Sequence, residues 1–501
     1  MSAAVGRHAS SPEPTFPAPE RGAGQHAASW WRTSTSWWTG DGHGHQPPVW
    51  WRHVRRALGA AWVWILLFLL SRAWILREWY DKYQFIRSDV NYYLWWLNHD
   101  VSITERLVEY PLPVVWLLDS LRLFGNDQNT YQLAFGLAMA ALDAAFCVLL
   151  WRRGTLRALL FWNAFVTFFG ALIWFRYDMA PAFVVGVAAL LVTRHPRVSG
   201  ALVALGAGLK LWPAMLIAPL MGRSRAAVLR TVWFAVTGAA LAGLAFLHGG
   251  WQRLISPLTW QSDRGLQVES VPATWLMWQR SRDPRGWTVE MSKYNAFEIF
   301  GPGTDAWMRF SDVVMALAVL SAACMVVVVF VRKQLPADLL ALAMTSIVLF
   351  MLVANKTLSP QYLLWLGTPV AALLALAHTH TMRARAHLLA ALTLFAAFLT
   401  QQVYPVFYGQ IIGAIPTVKH TGVLVARNAL LLVMAVIATV WTWADLTAER
   451  AAGRHDTPDE VADDDLSDEL SDELFEDGFD AATLKQIDRF DEPARPGRRG
   501  D

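Results

Sequence analysis

Ten long apolar segments lie between residues 57 and 445, and they constrain the fold more than any other feature of the chain. Most approach the roughly 20 residues that a helix needs to cross a bilayer. Because backbone groups in lipid must be hydrogen-bonded within the protein, such segments are expected to form helices. The predicted spans are 57–76, 131–151, 156–174, 179–193, 227–247, 310–331, 337–354, 361–378, 385–404 and 422–445. The sequence therefore predicts an all-α polytopic membrane protein.

Composition supports this class and argues against others. The chain is 55% hydrophobic and only 17% charged, and its 27 tryptophans suit membrane interfaces. No P-loop, nucleotide fingerprint or metal-ligand motif is present, so we expect no cofactor, no metal and no nucleic-acid partner. Cys147 and Cys324 both lie in apolar runs and are interpreted as small hydrophobic residues.

Both ends of the chain differ from its middle. Residues 1–47 are rich in Pro, Ser, Gly and His and show no apolar period, which predicts a disordered tail. Residues 447–501 include a run of Asp and Glu with the repeated sequence Leu-Ser-Asp-Glu-Leu, which predicts a second disordered tail. Residues 48–446 are then the membrane domain. Membrane lipids are its expected surroundings.

The distribution of arginine and lysine predicts the orientation. Arg52, Arg55 and Arg56 precede the first span, so the N-terminus is expected to be cytoplasmic. Other basic loops expected on that side contain Arg152, Arg153, Arg157, Arg194, Arg197, Arg223, Arg225, Arg230, Arg332, Lys333, Arg383 and Arg385. Loops on the same side of the membrane must be separated by an even number of membrane crossings. This number is reached only if residues 88–124 do not cross and instead form juxtamembrane helices on the outer face. It also requires that residues 198–220 form a broken, re-entrant helix pair that turns near Lys210. Both tails are then cytoplasmic.

Charged clusters stand at the ends of several apolar segments. Ionisable residues at membrane depth are costly and face a cavity or a partner. The clusters are Arg176-Tyr177-Asp178, Gly208-Leu209-Lys210-Leu211-Trp212-Pro213, Arg264-Gly265-Leu266-Gln267-Val268-Glu269-Ser270 and Asn355-Lys356-Thr357-Leu358-Ser359-Pro360-Gln361-Tyr362. In the predicted topology they converge with Asp89 and Glu109 on the outer side. The sequence thus predicts one polar site within the helix bundle.

These clusters, in this order and preceded by Asp89 and Glu109-Tyr110-Pro111-Leu112-Pro113, resemble glycosyltransferase family 87. The resemblance covers roughly 57–445 and is to polyprenyl-phosphate-mannose-dependent α-mannosyltransferases of the actinobacterial type, in the GT-C superfamily. It implies a GT-C-type transmembrane helix bundle with outer juxtamembrane helices. It also implies a plasma-membrane enzyme with an extracytoplasmic active site. The implied donor is a mannosyl phosphoryl polyprenol, and the implied acceptor is a cell-envelope glycolipid or lipoglycan.

The resemblance also suggests roles for individual residues. GT-C enzymes keep an essential acid in the first outer loop, a place that Asp89 occupies, so Asp89 is the expected base of an inverting transfer. Asp178 is the alternative base, or else a helix cap. Lys210, Arg264 and Lys356 are the candidates for binding the donor phosphate. The candidates for contacts with sugar and acceptor hydroxyls are Glu109, Tyr177, Gln267, Glu269, Gln361 and Tyr362.

Three other interpretations remain open from the sequence. A GT-C transferase of another sugar, such as arabinose, would carry the same features. A secondary transporter also uses broken helices and charges at the midplane, although no inverted repeat is evident and the long outer loop favours an enzyme. A third possibility is a membrane scaffold that acts through its two tails.

Overall fold

The computed structural model describes residues 61–153, 155–332 and 335–448, and these residues are almost entirely helical. The first eight helices are α1 (Ala61–Lys82), α2 (Ser88–Asn98), α3 (Leu112–Ser120), α4 (Gln128–Arg152), α5 (Leu156–Phe169), α6 (Met179–Leu190), α7 (Pro196–Leu209) and α8 (Arg225–Ser262). The later elements are α9 (Thr274–Arg282), β1 (Thr288–Met291), β2 (Phe297–Phe300), α10 (Thr304–Val331), α11 (Ala337–Ala354), α12 (Leu364–Leu376), α13 (His380–Gln401), α14 (Tyr408–Ile412) and α15 (Val418–Thr447). The prediction of an all-α polytopic membrane protein is confirmed.

Short 3-10 segments and one π-helical turn join several of these helices. The 3-10 segments are Gln84–Arg87, Leu121–Phe124, Gly170–Trp174, Trp212–Leu220, Pro284–Gly286 and Pro360–Leu363, and the π-helical turn is Gln402–Val406. The predicted tail 1–47 and residues Arg52, Arg55 and Arg56 lie outside the described residues, as does all of the C-terminal tail beyond Ala448.

Seven helices in the described part of the chain are long and apolar enough to cross a membrane. They are α4, α5 with its 3-10 extension to Trp174, α8, α10, α11, α13 with its extension to Val406, and α15. The predicted spans 179–193 and 361–378 correspond to shorter apolar helices, Met179–Leu190 and Pro360–Leu376. The predicted span 57–76 falls on α1, whose second half carries charged residues.

Burial separates central helices from peripheral ones. In the most apolar part of α11, 89% of the residues are buried, whereas in that of α8 only 6% are buried. Helix α11 packs on α10, α12 and α15, and α12 packs in turn on α6. The exposed face of α8 carries leucine, valine and tryptophan side chains, as expected of a helix that faces lipid.

A buried ion pair ties three helices together away from the charged clusters. Arg72 of α1 donates from Nε and Nη2 to the two carboxylate oxygens of Asp143 in α4, at 2.9 and 2.7 Å. Asn163 and Trp162 of α5 complete the network, at 3.0 Å to Arg72 and 2.9 Å to Asp143. Because each charge has its partners, this network is structural.

Two features expected from the count of crossings are present. Helices α2 and α3 have 11 and 9 residues, too few to span a bilayer. Helix α7 ends at Leu209, Lys210 is extended (φ −157°, ψ 133°), and the chain continues as the 3-10 segment Trp212–Leu220. Pro213 at the start of that segment lacks an N–H group, so the α-helix does not continue through it.

The region between residues 248 and 308 is more structured than the long polar loop that the sequence predicts. Helix α8 continues to Ser262 with a kink at Gly250, where φ is 69°. Strands β1 and β2 pair antiparallel, from Thr288 opposite Phe300 to Met291 opposite Phe297. Together with α9 they cover a second apolar cluster that includes Leu266, Val268, Leu276, Met277, Ile299 and Leu424. The apolar residues scattered through this region fold over the bundle because they bury one another.

Candidate functional site

A cavity of about 750 Å³ lies where α2, α6, the break after α7 and the segment after α11 meet. All eleven residues that the sequence singles out line it. They are Asp89, Glu109, Tyr177, Asp178, Lys210, Arg264, Gln267, Glu269, Lys356, Gln361 and Tyr362. Residues separated by more than 250 positions thus share one site, while the roles given to them remain predictions.

Asp178 and Lys210 form a buried ion pair at one wall of the cavity. Lys210 Nζ donates to Asp178 Oδ1 at 2.6 Å, and Trp365 Nε1 donates to the same oxygen at 2.7 Å. The Asp178 side chain is 1% exposed and that of Lys210 is 16% exposed. Asp178 precedes α6 but makes no capping hydrogen bond, so its alternative role as a helix cap is not observed.

Aromatic rings surround the Lys210 ammonium. Its Nζ lies 4.9 Å from the ring centre of Tyr177, 4.5 Å from that of Tyr362 and 5.0 Å from that of Trp365. Trp365 stacks between Tyr362 and Trp212, with ring centres 4.0 and 5.0 Å away. Rings at this distance stabilise a cation, so the break in the chain at Lys210 is held firmly in place.

Asp89 is more exposed to the cavity than Asp178. Its Oδ2 lies 2.9 Å from Arg176 Nε, and its side chain is 28% exposed. Arg176 also donates to the carbonyl oxygens of Ile86 and Phe175, at 2.7 and 2.9 Å, which fixes the guanidinium. Burial raises the pKa of the Asp89 carboxyl, and the neighbouring Arg176 opposes that rise. This carboxylate can accept a proton from a molecule in the cavity.

Glu109 approaches the cavity from the loop between α2 and α3. Tyr92 Oη donates to Glu109 Oε1 at 2.7 Å. Burial raises the pKa of Glu109, while Tyr92 and the arginines 253 and 264 oppose the rise. Arg253, on α8, is 1% exposed and donates to the carbonyl oxygens of Leu107 and Tyr110 at 3.3 and 2.9 Å. Arg253 therefore holds this loop in place.

The third and fourth charged clusters are bonded directly to each other. The backbone N–H of Gln267 donates to the Lys356 carbonyl at 3.0 Å, and Gln267 Nε2 donates to Ser359 Oγ at 2.9 Å. Lys356 Nζ lies 3.7 Å from Asp312 Oδ1 on α10. The Arg264 guanidinium lies 5.8 Å from the ring centre of Tyr294. Arg264 Nε has no hydrogen-bond partner among the described residues. Cations thus line this side of the cavity.

Glu269 is bound by two adjacent residues of the last helix that sequence reasoning missed. Arg427 Nη1 donates to Glu269 Oε2 at 2.9 Å, and Nη2 donates to the Glu269 carbonyl oxygen. Asn428 Nδ2 donates to the carbonyl oxygens of Glu269 and Ser270, each at 3.2 Å. The signal was available, because Arg427 is a charged residue inside a predicted span.

The fold and the site together define a class of protein. A helical membrane bundle that encloses carboxylates, cations and aromatic rings has the groups needed for acid–base chemistry on a lipid-borne polar substrate. No group of three or more His, Cys, Asp or Glu side chains able to hold a metal occurs in the part of the chain that the structure describes. The fold and the site thus define a helical membrane protein with an internal polar site.

Comparison with known proteins gives the family. The model of glycosyltransferase family 87 matches residues 109–360, half of the chain. The chain belongs to glycosyltransferase family 87 and is a membrane glycosyltransferase. The match includes Glu109, Asp178, Lys210 and the loop from Arg264 to Ser270, and it ends before Arg427. No curated protein and no solved structure matches the chain.

Proposed function

We propose that this enzyme moves a mannosyl residue from a polyprenyl-phosphate donor to a cell-envelope glycolipid or lipoglycan, with inversion at the anomeric carbon. The observation that carries the proposal is the position of Asp89. It presents a partly exposed carboxylate to the same cavity that Arg264 and Lys356 line. A base and a set of cations within one cavity meet the two needs of transfer from a lipid phosphate.

Asp89 is proposed as the base. As the acceptor oxygen bonds to the anomeric carbon, its hydroxyl proton passes to Asp89, and the bond from that carbon to the phosphate oxygen breaks. The electron pair of the broken bond stays on the polyprenyl phosphate that leaves. A positioned base of this kind contributes about 10²–10⁴-fold. Burial raises the pKa of Asp89, which favours uptake of the proton. Asp178 is a weaker candidate, since its Oδ1 already accepts two hydrogen bonds.

The negative charge of the leaving phosphate is proposed to be stabilised by Arg264, Lys356 and Lys210. Arg264 is the strongest of these candidates, because its Nε has no partner among the described residues and a guanidinium can bind phosphate through two N–H groups. Lys210 is paired with Asp178 at 2.6 Å, which offsets its charge. Its part is therefore smaller than that of Arg264.

Sugar hydroxyls are assigned to polar side chains on both sides of the cavity. Gln267 and Gln361 carry amides that both donate and accept. Glu109, Tyr177 and Tyr362 supply further polar atoms, and the Tyr177 hydroxyl has no hydrogen-bond partner among the described residues. Aromatic rings beside these groups suit the apolar face of a sugar.

The enzyme is proposed to lie in the plasma membrane with this cavity on the extracytoplasmic side and both termini in the cytoplasm. The short helices α2 and α3 and the break at Lys210 support this topology. Each of them is a feature that the count of crossings requires.

The test is transfer by the purified enzyme in nanodiscs. Radiolabelled mannosyl phosphoryl decaprenol and an extract of envelope glycolipids are supplied, and the lipid-linked products are separated. Labelled glycolipid is expected to appear together with free decaprenyl phosphate. If product forms with an arabinosyl donor and not with the mannosyl donor, the enzyme transfers arabinose. Uptake of label into sealed vesicles without a new glycosidic product would favour a transporter.

A further inference from the structure

Glu269 lines the cavity and forms an ion pair with Arg427 of the last helix, and the proposed mechanism does not use this pair. Glu269 and Arg427 have side chains 1% and 2% exposed, and their Oε2–Nη1 distance is 2.9 Å. Two charges removed from water in this way cost several kcal/mol unless their geometry is good and their remaining groups are satisfied. Arg427 meets this condition, because its other N–H groups donate to the Glu269 carbonyl oxygen and to Asn428 Oδ1.

Glu269 does not meet it. Oε1 is buried and has no hydrogen-bond partner among the described residues. Buried polar atoms nearly always have a hydrogen-bond partner. Because Glu269 lines the cavity, we expect that partner to come from a bound molecule. A sugar hydroxyl is a donor of the right size and polarity.

The position of the pair indicates which sugar it would contact. Glu269 lies five residues after Arg264, the strongest candidate for the donor phosphate, in the same loop. Glu269, Asp89 and Arg264 all line the one cavity. A sugar held there between the base and the phosphate therefore shares that space with Glu269.

We infer that Glu269 accepts a hydrogen bond from a hydroxyl of the donor sugar, and that Arg427 is the positioning residue that aims Glu269 at it. The inference rests on the proposed function, since it assumes a sugar bound through its phosphate to this cavity. It adds to the site a residue of the last helix, beyond the segment that the family model matches.

Binding experiments separate this inference from a purely structural role. Glu269→Gln and Arg427→Lys are compared with the wild-type enzyme for affinity towards mannosyl phosphoryl decaprenol and towards decaprenyl phosphate. Both variants should bind the mannosyl lipid about tenfold to a hundredfold more weakly, as expected for a hydrogen bond to a charged group. Both should bind decaprenyl phosphate as the wild type does, because the defect lies at the sugar.

Arg280→Lys is the matched control. Arg280 is also a buried arginine that donates to backbone carbonyl oxygens, those of Ile411, Ile412 and Gly413, but it does not line the cavity. This variant should bind both lipids normally. Equal losses for the two lipids in Glu269→Gln and Arg427→Lys, or no loss for either, would overturn the inference.

A second measurement needs no variant, in case these substitutions prevent folding. Single-deoxy analogues of the mannosyl donor are bound to the wild-type enzyme. At least one should bind at least tenfold more weakly than the parent compound. If every analogue binds like the parent, the inference fails although the proposed function stands. If the wild type binds no mannosyl lipid at all, the proposed function itself fails.

Discussion

At the scale of single residues, the cavity contains two aspartates in different surroundings. Asp178 is 1% exposed and accepts hydrogen bonds from Lys210 and Trp365, whereas Asp89 is 28% exposed and pairs with one arginine. A residue that takes a proton from a substrate must be reachable by it. The difference in exposure therefore supports the proposal that Asp89 is the base and that Asp178 has a structural role.

Asp89→Asn should lower turnover by about 10²–10⁴-fold and leave donor binding nearly intact. The amide keeps the shape of the side chain but cannot take the proton. Single-turnover rates and donor affinity are measured on the same preparation. The assignment is wrong if the variant turns over normally, or if it loses donor binding in step with rate.

The pH dependence of transfer should reflect the surroundings of Asp89. Burial raises the pKa of this carboxyl, and the base must be ionised to act. As the pH falls through that raised pKa, kcat/KM should fall, so the acidic limb lies at higher pH than for an ordinary aspartate. A profile of kcat/KM against pH tests this. A kcat/KM that stays constant as the pH falls to the usual pKa range of aspartate would contradict this prediction.

At the scale of structural elements, the break after α7 depends on the pair formed by Lys210 and Asp178. Lys210→Met leaves Asp178 buried without its cation, and Asp178→Asn leaves Lys210 without its anion. Each single change should destabilise the protein by about 3–5 kcal/mol. The double variant should lose much less than the sum, because no unpaired charge remains. Thermal unfolding in detergent measures this coupling, and additive losses would show that the two side chains do not act together.

The loop from Arg264 to Ser270 depends on the absence of a side chain at Gly265. A Cβ atom there would lie 2.5 Å from Glu298 Oε2 and 3.0 Å from its Cδ. Gly265→Ala should therefore displace the Glu298 carboxylate, which is buried against this loop, cost about 1–3 kcal/mol and reduce transfer. Gly286→Ala is the control, since nothing lies within 4 Å of the added atom. Equal stability and activity of the two variants would refute this explanation of the glycine.

At the scale of the whole molecule, the orientation in the membrane can be tested directly. In a background without Cys147 and Cys324, single cysteines are introduced at the exposed positions Thr193 and Arg285. An impermeant thiol reagent added to intact cells should label position 285, on the cavity side, and should label position 193 only after the membrane is opened. The reverse pattern would place the site in the cytoplasm.

The sequence predicted the class of protein and most of the spans from hydropathy. All eleven residues that it singled out line the cavity, because the cost of a charge in lipid marks such positions. It did not predict the extension of α8, the hairpin or the involvement of Arg427. The region between residues 248 and 308 folds through contacts among apolar residues far apart in the chain, and no local period predicts these contacts. Arg427 was missed although a charged residue inside a predicted span marks such a position.

The hydrogen bonds of Arg253 to the loop between α2 and α3 couple the positions of two parts of the molecule. This arginine joins the C-terminal end of α8, beyond the kink at Gly250, to the carbonyl oxygens of Ile103, Leu107 and Tyr110. The end of α8 and the loop that carries Glu109 are therefore joined directly by hydrogen bonds. Helix α8 is the least buried of the seven long apolar helices. A change in the position of this end of α8 would thus be transmitted to Glu109 in the cavity.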